Sequence, residues 1–308
     1  MEGSKCRELV ASTGRILLEK GLVARTWGNI SARIDETRYA VSPSGLGYEN
    51  MTAEDVPVYD LENDTWEGSR KPSSENRVHA AAYRNYPEVN FVIHTHQDYA
   101  TAVGLVGTDV LDMTDEEKKV LGKVIVAKYG LPGSDELGNN VDEALKQSSK
   151  VILMKHHGVL ILGEDRDDTM NKAEVLERVC KRAVEEKLGA GSETSGGTGD
   201  WQGLLIFSNR DVLMVADEGG FNAQIDDMAQ MLGSRLDCVP DDDKAIMRAL
   251  EKADAVLVKD RGCVIKTGDP DDDEALKLLI KKAALAKHYT RACGVSADLS
   301  EEDCEYMR

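Results

Sequence analysis

The chemistry-bearing side chains of this sequence are concentrated in one stretch. Five of its six histidines, His79, His94, His96, His156 and His157, fall between positions 79 and 157. His94 and His96 stand two apart at the end of the apolar run Phe91-Val92-Ile93. On a strand, side chains at i and i+2 point to the same side, so both imidazoles can face one point while Thr95 turns away. A second apolar run, Val151–Met154, leads into the turn His156-His157-Gly158. If the two strands are neighbours in a sheet, this turn supplies a third nitrogen; spacing alone does not choose between His156 and His157. Three neutral imidazoles around an open position are the donor set of a catalytic divalent metal, most often zinc, which can polarise a substrate oxygen.

Glu75 is the fourth candidate. It follows Ser73 and Ser74 at the predicted start of a helix. Backbone N–H groups and the helix dipole favour an anion there, so the serine hydroxyls and main-chain amides can hold a phosphate. A carboxylate at this point can ligate the metal or move a proton. His79, one turn later on the same helical face, is expected behind the site as a packing or supporting residue rather than a ligand.

These residues need elements to position them. Apolar residues at three- and four-residue spacing predict a helix over 4–22 ending at Gly21, followed by a loop over 24–31 that holds Trp27-Gly28-Asn29. Short strands are expected over 38–42 and 58–61, separated by the turn Pro43-Ser44-Gly45. A helix follows from Ser73 to about Tyr86, then the strand that carries His94, then a helix over 97–105. Val124-Ile125-Val126 and Val151–Met154 read as strands around a helix over 137–147, and a long helix covers 168–188. Alternating strands and helices point to an α/β or α+β domain.

Residues 189–199 form the one long Gly/Ser/Thr stretch, which reads as a linker. Beyond it, Leu204–Phe207 and residues 212–216 flank Ser208-Asn209-Arg210-Asp211 like a β-hairpin, and helices are expected over 222–232, 242–252 and 272–292. One internal repeat stands out: Val151 to Ile161, with His156-His157-Gly158, resembles Ala255 to Ile265, with Asp260-Arg261-Gly262. The expected division is therefore a catalytic domain over 1–188, a linker over 189–202 and a smaller, degenerate α/β partial copy over 203–308. Lacking the two histidines, that copy is expected to bind no metal in the same way.

Composition excludes some partners. The chain has 308 residues, 41% of them hydrophobic, and a formal net charge of −18. Such an acidic surface argues against nucleic acid and against anionic membranes as partners. No apolar run reaches the length of a membrane span, and Met1 to Glu8 lacks the apolar core of a secretion signal. The six cysteines form no CxxC pair, as expected of reduced thiols in a cytoplasmic protein.

Taken in order, Gly28-Asn29-Ile30-Ser31, Ser42-Pro43-Ser44-Gly45-Leu46-Gly47-Tyr48-Glu49, Lys71-Pro72-Ser73-Ser74-Glu75, His94-Thr95-His96 and His156-His157-Gly158 resemble the class II aldolase/adducin family over about residues 5–188. The resemblance implies a three-layer α/β/α fold around a mainly antiparallel sheet. It implies that His94, His96 and His157 bind a divalent metal, zinc or another such as manganese. It gives Glu75 two roles, metal ligand at rest and acid/base in catalysis. Asn29, Ser44, Gly45, Ser73 and Ser74 match the positions that hold the substrate phosphate. The implied reaction is retro-aldol cleavage of a ketose 1-phosphate through a metal-stabilised enediolate, in a homo-oligomer, often a tetramer. A sugar-phosphate 4-epimerase or a dehydratase of the same family is the alternative, and Glu75 favours the aldolase because the family's epimerases tend to carry Asp there. An adducin-like binding module without metal ligands is a further alternative, disfavoured by the intact histidines. The tyrosine that the family's aldolases use has no clear match: residues 111–117 hold none, Tyr129 matches another position, and Tyr306 is a substitute candidate.

Overall fold

A computed structural model describes residues 2–23, 27–190 and 196–308, so part of the expected loop over 24–31 and part of the linker lie outside the described residues. The chain divides into two compact units, Met1–Gly104 with Leu111–Val179, and Leu105–Val110 with Cys180–Arg308. The division falls inside a helix rather than at the Gly-rich stretch.

The first unit holds α1 (Gly3–Glu19), β1 (Asn29–Arg33), β2 (Arg38–Val41), β3 (Val58–Asp60), β4 (Thr65–Glu67), α2 (Asn76–Asn85), β5 (Phe91–Thr95) and α3 (Asp98–Val106). There follow α4 (Asp115–Leu121), β6 (Val124–Ala127), α5 (Asp135–Leu145), β7 (Val151–Met154), β8 (Gly158–Gly163) and α6 (Arg166–Leu188), with α3 from Leu105 and α6 from Cys180 onward counted in the second unit. Eight strands form one sheet in the order β4-β3-β2-β1-β5-β8-β7-β6. Its pairs are antiparallel except β6 with β7.

Strand alternation decides what each face of the sheet buries. Tyr39, Val41, Val92, Ile152, Leu160 and Leu162 join Val78, Ala82 and Tyr83 of α2 and Leu137, Val141 and Leu145 of α5 in one core. Intervening residues such as Ile93, Leu153 and Ile161 are also fully buried, as expected of a sheet covered on both faces. The mainly antiparallel α/β/α architecture is thus the expected one. The sheet centre places β5 between β1 and β8, with His94 opposite Asn29 on one side and Leu160 on the other.

The second unit holds β9 (Thr198–Trp201), β10 (Leu204–Phe207), α7 (Arg210–Asp217), β11 (Gly220–Asn222), α8 (Asp226–Leu232) and β12 (Arg235–Val239). These are followed by α9 (Asp243–Ala249), β13 (Ala255–Val258), β14 (Gly262–Ile265), α10 (Pro270–Ala292) and α11 (Glu301–Met307). Its sheet runs β11-β12-β13-β14-β10-β9. The order β12-β13-β14-β10-β9 has the same pattern of directions as β6-β7-β8-β5-β1, with one parallel pair, β12 with β13, in the corresponding place. Each series ends in a helix of 23 residues.

Three expectations fail in this unit. Residues 212–216 are not the second strand of a hairpin but lie in α7, because Asn209 caps that helix by accepting from the Val212 N–H at 2.8 Å. Val212, Val215 and Ala216 then form its buried face, while β10 finds its partners in β9 and β14. The segment 189–202 is not all linker, since β9 occupies Thr198–Trp201. The helix expected from residue 222 starts only at Asp226, after β11. Among the described residues the six cysteines form no disulfide. Among the described residues no helix is long and apolar enough to cross a membrane.

Candidate active site

The histidines meet where β5 ends beside the β7–β8 turn. His94, His96 and His157 are 0%, 8% and 3% exposed, and their ligand atoms lie within 4.8 Å of one another. His94 Nε2 and His96 Nε2 are 2.9 Å apart. The turn decides between the two adjacent histidines. His156 takes a left-handed backbone (φ 67°) and packs edge-on against Tyr129, 4.9 Å between ring centroids, whereas His157 enters the cluster. The glycine that follows is obligatory for a different reason: a Cβ on Gly158 would sit 2.4 Å from the Thr95 carbonyl oxygen, so only glycine lets β8 start this close to β5.

Glu75 reaches the cluster from the N-cap of α2. Its Oε1 lies 2.7 Å from His157 Nε2 and its Oε2 3.3 Å from His94 Nε2. Burial alone would raise the carboxyl pKa, but the facing imidazoles, His157 foremost, and the His157 hydrogen bond outweigh it and hold the carboxyl below the usual carboxylate range. Burial depresses the His94 pKa well below its ordinary value, so that ring is neutral. Its Nδ1–H donates to the Val159 carbonyl at 3.0 Å, which leaves Nε2 as a bare lone pair aimed into the cluster. Three imidazoles with one tautomer fixed from behind, plus one carboxylate, fit a divalent cation of the zinc type.

The two serine turns also converge. Pro43 and Pro72 form an isolated antiparallel bridge. Ser44 N–H donates to Lys71 O at 2.9 Å, and Ser73 N–H donates to Ser42 O at 3.0 Å. Ser44, Gly45 and Ser74 are exposed and Ser73 is half-buried, with the Ser73 hydroxyl accepting from the Glu75 N–H. Gly45 adopts φ +71°, and nothing lies within 4 Å of the place a Cβ would take. These four residues therefore line an open, polar rim next to Glu75.

Asn29 behaves differently from the other four expected phosphate residues. It is 2% exposed, and its side-chain N–H donates to Glu75 Oε2 at 2.9 Å while its Oδ1 accepts from His79 Nε2. Sequence reasoning placed His79 behind the site but did not see this link. Nor did it see Trp27, stacked on His96 with centroids 6.4 Å apart, or Tyr48, whose hydroxyl donates to the Gly28 carbonyl. Tyr129 packs on His156 rather than in the cluster, and Tyr306 lies on α11 of the second unit, 76% exposed.

A two-face covered, mainly antiparallel sheet with a His-His-His-Glu cluster at its centre defines a class II aldolase-type domain. Residues 8–184 match the Class II Aldolase and Adducin N-terminal domain, and the chain belongs to that family. It is 35% identical over 167 residues to L-fuculose phosphate aldolase of Methanococcus maripaludis, a match covering 54% of this chain and 89% of that protein. It is 31% identical over 182 residues to 3-oxo-tetronate 4-phosphate decarboxylase of Haemophilus influenzae, covering 57% of this chain and 85% of that one. To L-ribulose-5-phosphate 4-epimerase of Salmonella paratyphi C it is 32% identical over 192 residues, covering 58% and 84%. Among solved structures, an L-fuculose 1-phosphate aldolase superposes with a TM-score of 0.56 at 28% identity, covering 61% of this chain and 88% of that one.

Proposed function

We propose that the chain is a divalent-metal-dependent aldolase, a carbon–carbon lyase acting on a phosphorylated ketose. The observation that carries this reading is the carboxylate of Glu75, 11% exposed, set between His157 and His94. His94, His96, His157 and Glu75 would hold the cation, zinc or manganese. A divalent cation held by these residues would supply Lewis-acid polarisation of substrate oxygens and offset the negative charge that C–C cleavage leaves.

The rest is the work of the chain's own side chains. Ser44, Gly45, Ser73 and Ser74 hold the phosphate through hydroxyls and amides and fix where the sugar lies. Glu75, ionised at rest, takes up the proton that the substrate hydroxyl releases as the C–C bond breaks and passes it to the carbon left with the electron pair. Buried imidazoles and Trp27 exclude water from that step. The relatives perform three reactions on phosphorylated sugars or sugar acids; Glu75, in place of the aspartate tied to epimerases, is what favours cleavage here.

A screen of ketose 1-phosphates with aldehyde detection tests the reading. The expected result is metal-dependent aldehyde release that Glu75→Gln lowers about 100-fold or more. Epimer formation or CO2 release without aldehyde would reassign the chain within its family. A protein that neither binds a divalent metal nor gains activity from zinc or manganese would overturn the enzyme reading altogether.

A further inference from the structure

Beneath the candidate active site runs a line of buried polar groups that ligand and phosphate roles do not account for. Asn29, Ser31, His79 and Tyr83 are between 0% and 2% exposed. Tyr83 and Ser31 hydroxyls are 2.8 Å apart, Ser31 Oγ is 2.6 Å from His79 Nδ1, and His79 Nε2 meets Asn29 Oδ1. Asn29 Nδ2 then meets Glu75 Oε2 at 2.9 Å. β1 supplies Asn29 and Ser31, two apart on one face, and α2 supplies His79 and Tyr83, one turn apart.

The polarity of the line follows from its end. An ionised carboxylate only accepts, so Asn29 must present its N–H groups to Glu75 and its carbonyl to His79. His79 must therefore donate from Nε2 and accept at Nδ1. The Ser31 hydroxyl donates to that Nδ1 and in turn accepts from Tyr83. Burial keeps the ring neutral, pushing its pKa down to about 3, which agrees with a single N–H. Because an amide interrupts the line, it does not conduct a proton; it fixes orientation.

We propose that His79 is a positioning residue: through Asn29 it holds the Glu75 carboxylate in the rotamer that faces His94 and His157, with Ser31 and Tyr83 fixing the tautomer of His79. This deepens the proposed function and rests on it for the role of Glu75. It also gives Asn29 a role at Glu75 beside the one expected of it at the phosphate, since its amide keeps a second N–H beyond the one given to Glu75. Groups that orient a ligating or reacting side chain from behind typically matter about 10–100-fold in metal affinity or turnover.

The test compares His79→Leu, which removes the Nε2 donor, with His79→Gln, whose amide N–H can replace it, in the full chain. Cobalt(II) is titrated into each metal-free protein, with affinity and the visible absorption band as readouts. His79→Leu is expected to bind cobalt about 10–100-fold more weakly with an altered band, and His79→Gln to recover most of the loss. In the aldehyde assay at saturating metal, kcat is expected to fall in His79→Leu while KM for the sugar phosphate stays within about 2-fold. Tyr83→Phe removes one hydroxyl and little volume, and it carries the same comparison with a smaller loss if His79→Leu does not fold. Cobalt affinity and band unchanged in His79→Leu or, where that variant does not fold, in Tyr83→Phe would overturn the proposal. So would a loss that falls on KM alone, or one that His79→Gln does not relieve. A wild-type protein that binds cobalt yet cleaves no ketose phosphate overturns the aldolase reading instead, and the cobalt comparison still decides the role of His79.

Discussion

The two units contain the same turn with different chemistry on it. In the first unit, β7 passes to β8 through His156-His157-Gly158; in the second, β13 passes to β14 through Asp260-Arg261-Gly262. The first residue of each is left-handed, φ 67° at His156 and φ 58° at Asp260. Each glycine lets its strand start against a neighbouring carbonyl, 2.4 Å from a Cβ on Gly158 to Thr95 O and 2.2 Å from one on Gly262 to Phe207 O. The backbone is thus set by strand packing and is indifferent to function. Where His157 enters a cluster of imidazoles, Arg261 pairs with Asp241 at 2.8 Å and lies over the Trp201 ring. The register also places Ile206 of β10, opposite Val264, where β5 has His94 opposite Leu160.

The sharpest test of this contrast is the pair of single substitutions at the shared position. His157→Ala is expected to lose bound metal and to reduce turnover by more than the about 10–100-fold typical of an outer partner. Arg261→Ala should leave metal content and activity unchanged, at a stability cost of about 1 kcal/mol for an exposed ion pair and a cation–π contact. Elemental analysis and the aldehyde assay check both. Metal lost on removing Arg261 would break the comparison.

A smaller and more even effect is expected at the glycines. Alanine at either position places a Cβ against a backbone oxygen, and at Gly262 also forces a φ of +127°. Each change should cost about 3 kcal/mol or more in a urea titration. Only Gly158→Ala should also lower metal occupancy, since its Cβ lies 3.0 Å from His94 Cε1. Equal loss of metal from both variants would show that the second turn supports the site as well.

What could be read from the sequence follows the same line between local and distant causes. His94 and His96 were legible because a period of two is a local property of strands, and Glu75 because a Ser-Ser-Glu helix start is local too. His156 against His157 was not, because the choice rests on one left-handed residue whose need arises from the close approach of β8 to β5. Asn209 reads locally as a hairpin turn because Asn serves turns and helix caps alike; the decision lies with β9 and β14, which already satisfy β10. The role of Asn29 beside Glu75 depends on pairing two elements 46 residues apart, and no local pattern announces it.

The last contrast concerns the helix that follows the central strand of each unit. In the second unit, α7 is capped by its own Asn209. In the first, α3 has its N-terminal amides at Tyr99 and Ala100 held at 2.9 and 3.0 Å by Glu177, contributed 78 and 77 residues later by α6. Burial, with the charge of Asp98 adding to it, lifts the Glu177 carboxyl from 4.5 to about 7, although the accepted N–H bonds pull the other way. The sign of the consequence follows directly. Between about pH 4.5 and 7 the folded protein holds a proton on Glu177 that the unfolded chain has released, so this group's contribution to stability falls as pH rises through that window. A shift of that size corresponds to about 3 kcal/mol. Glu177→Gln cannot titrate, so the difference in unfolding free energy between wild type and variant should drift by about 3 kcal/mol in the variant's favour from pH 4.5 to 8, and then level off. The constant loss of one amide hydrogen bond, about 1 kcal/mol, offsets the curves without changing their slope. Asn209→Ala in the second unit should shift stability by about 1 kcal/mol at every pH, because a neutral cap has nothing to titrate. Parallel pH curves for wild type and Glu177→Gln would show that the remote cap of α3 is as indifferent to pH as the local cap of α7, and the contrast between the two helices would then be one of distance alone.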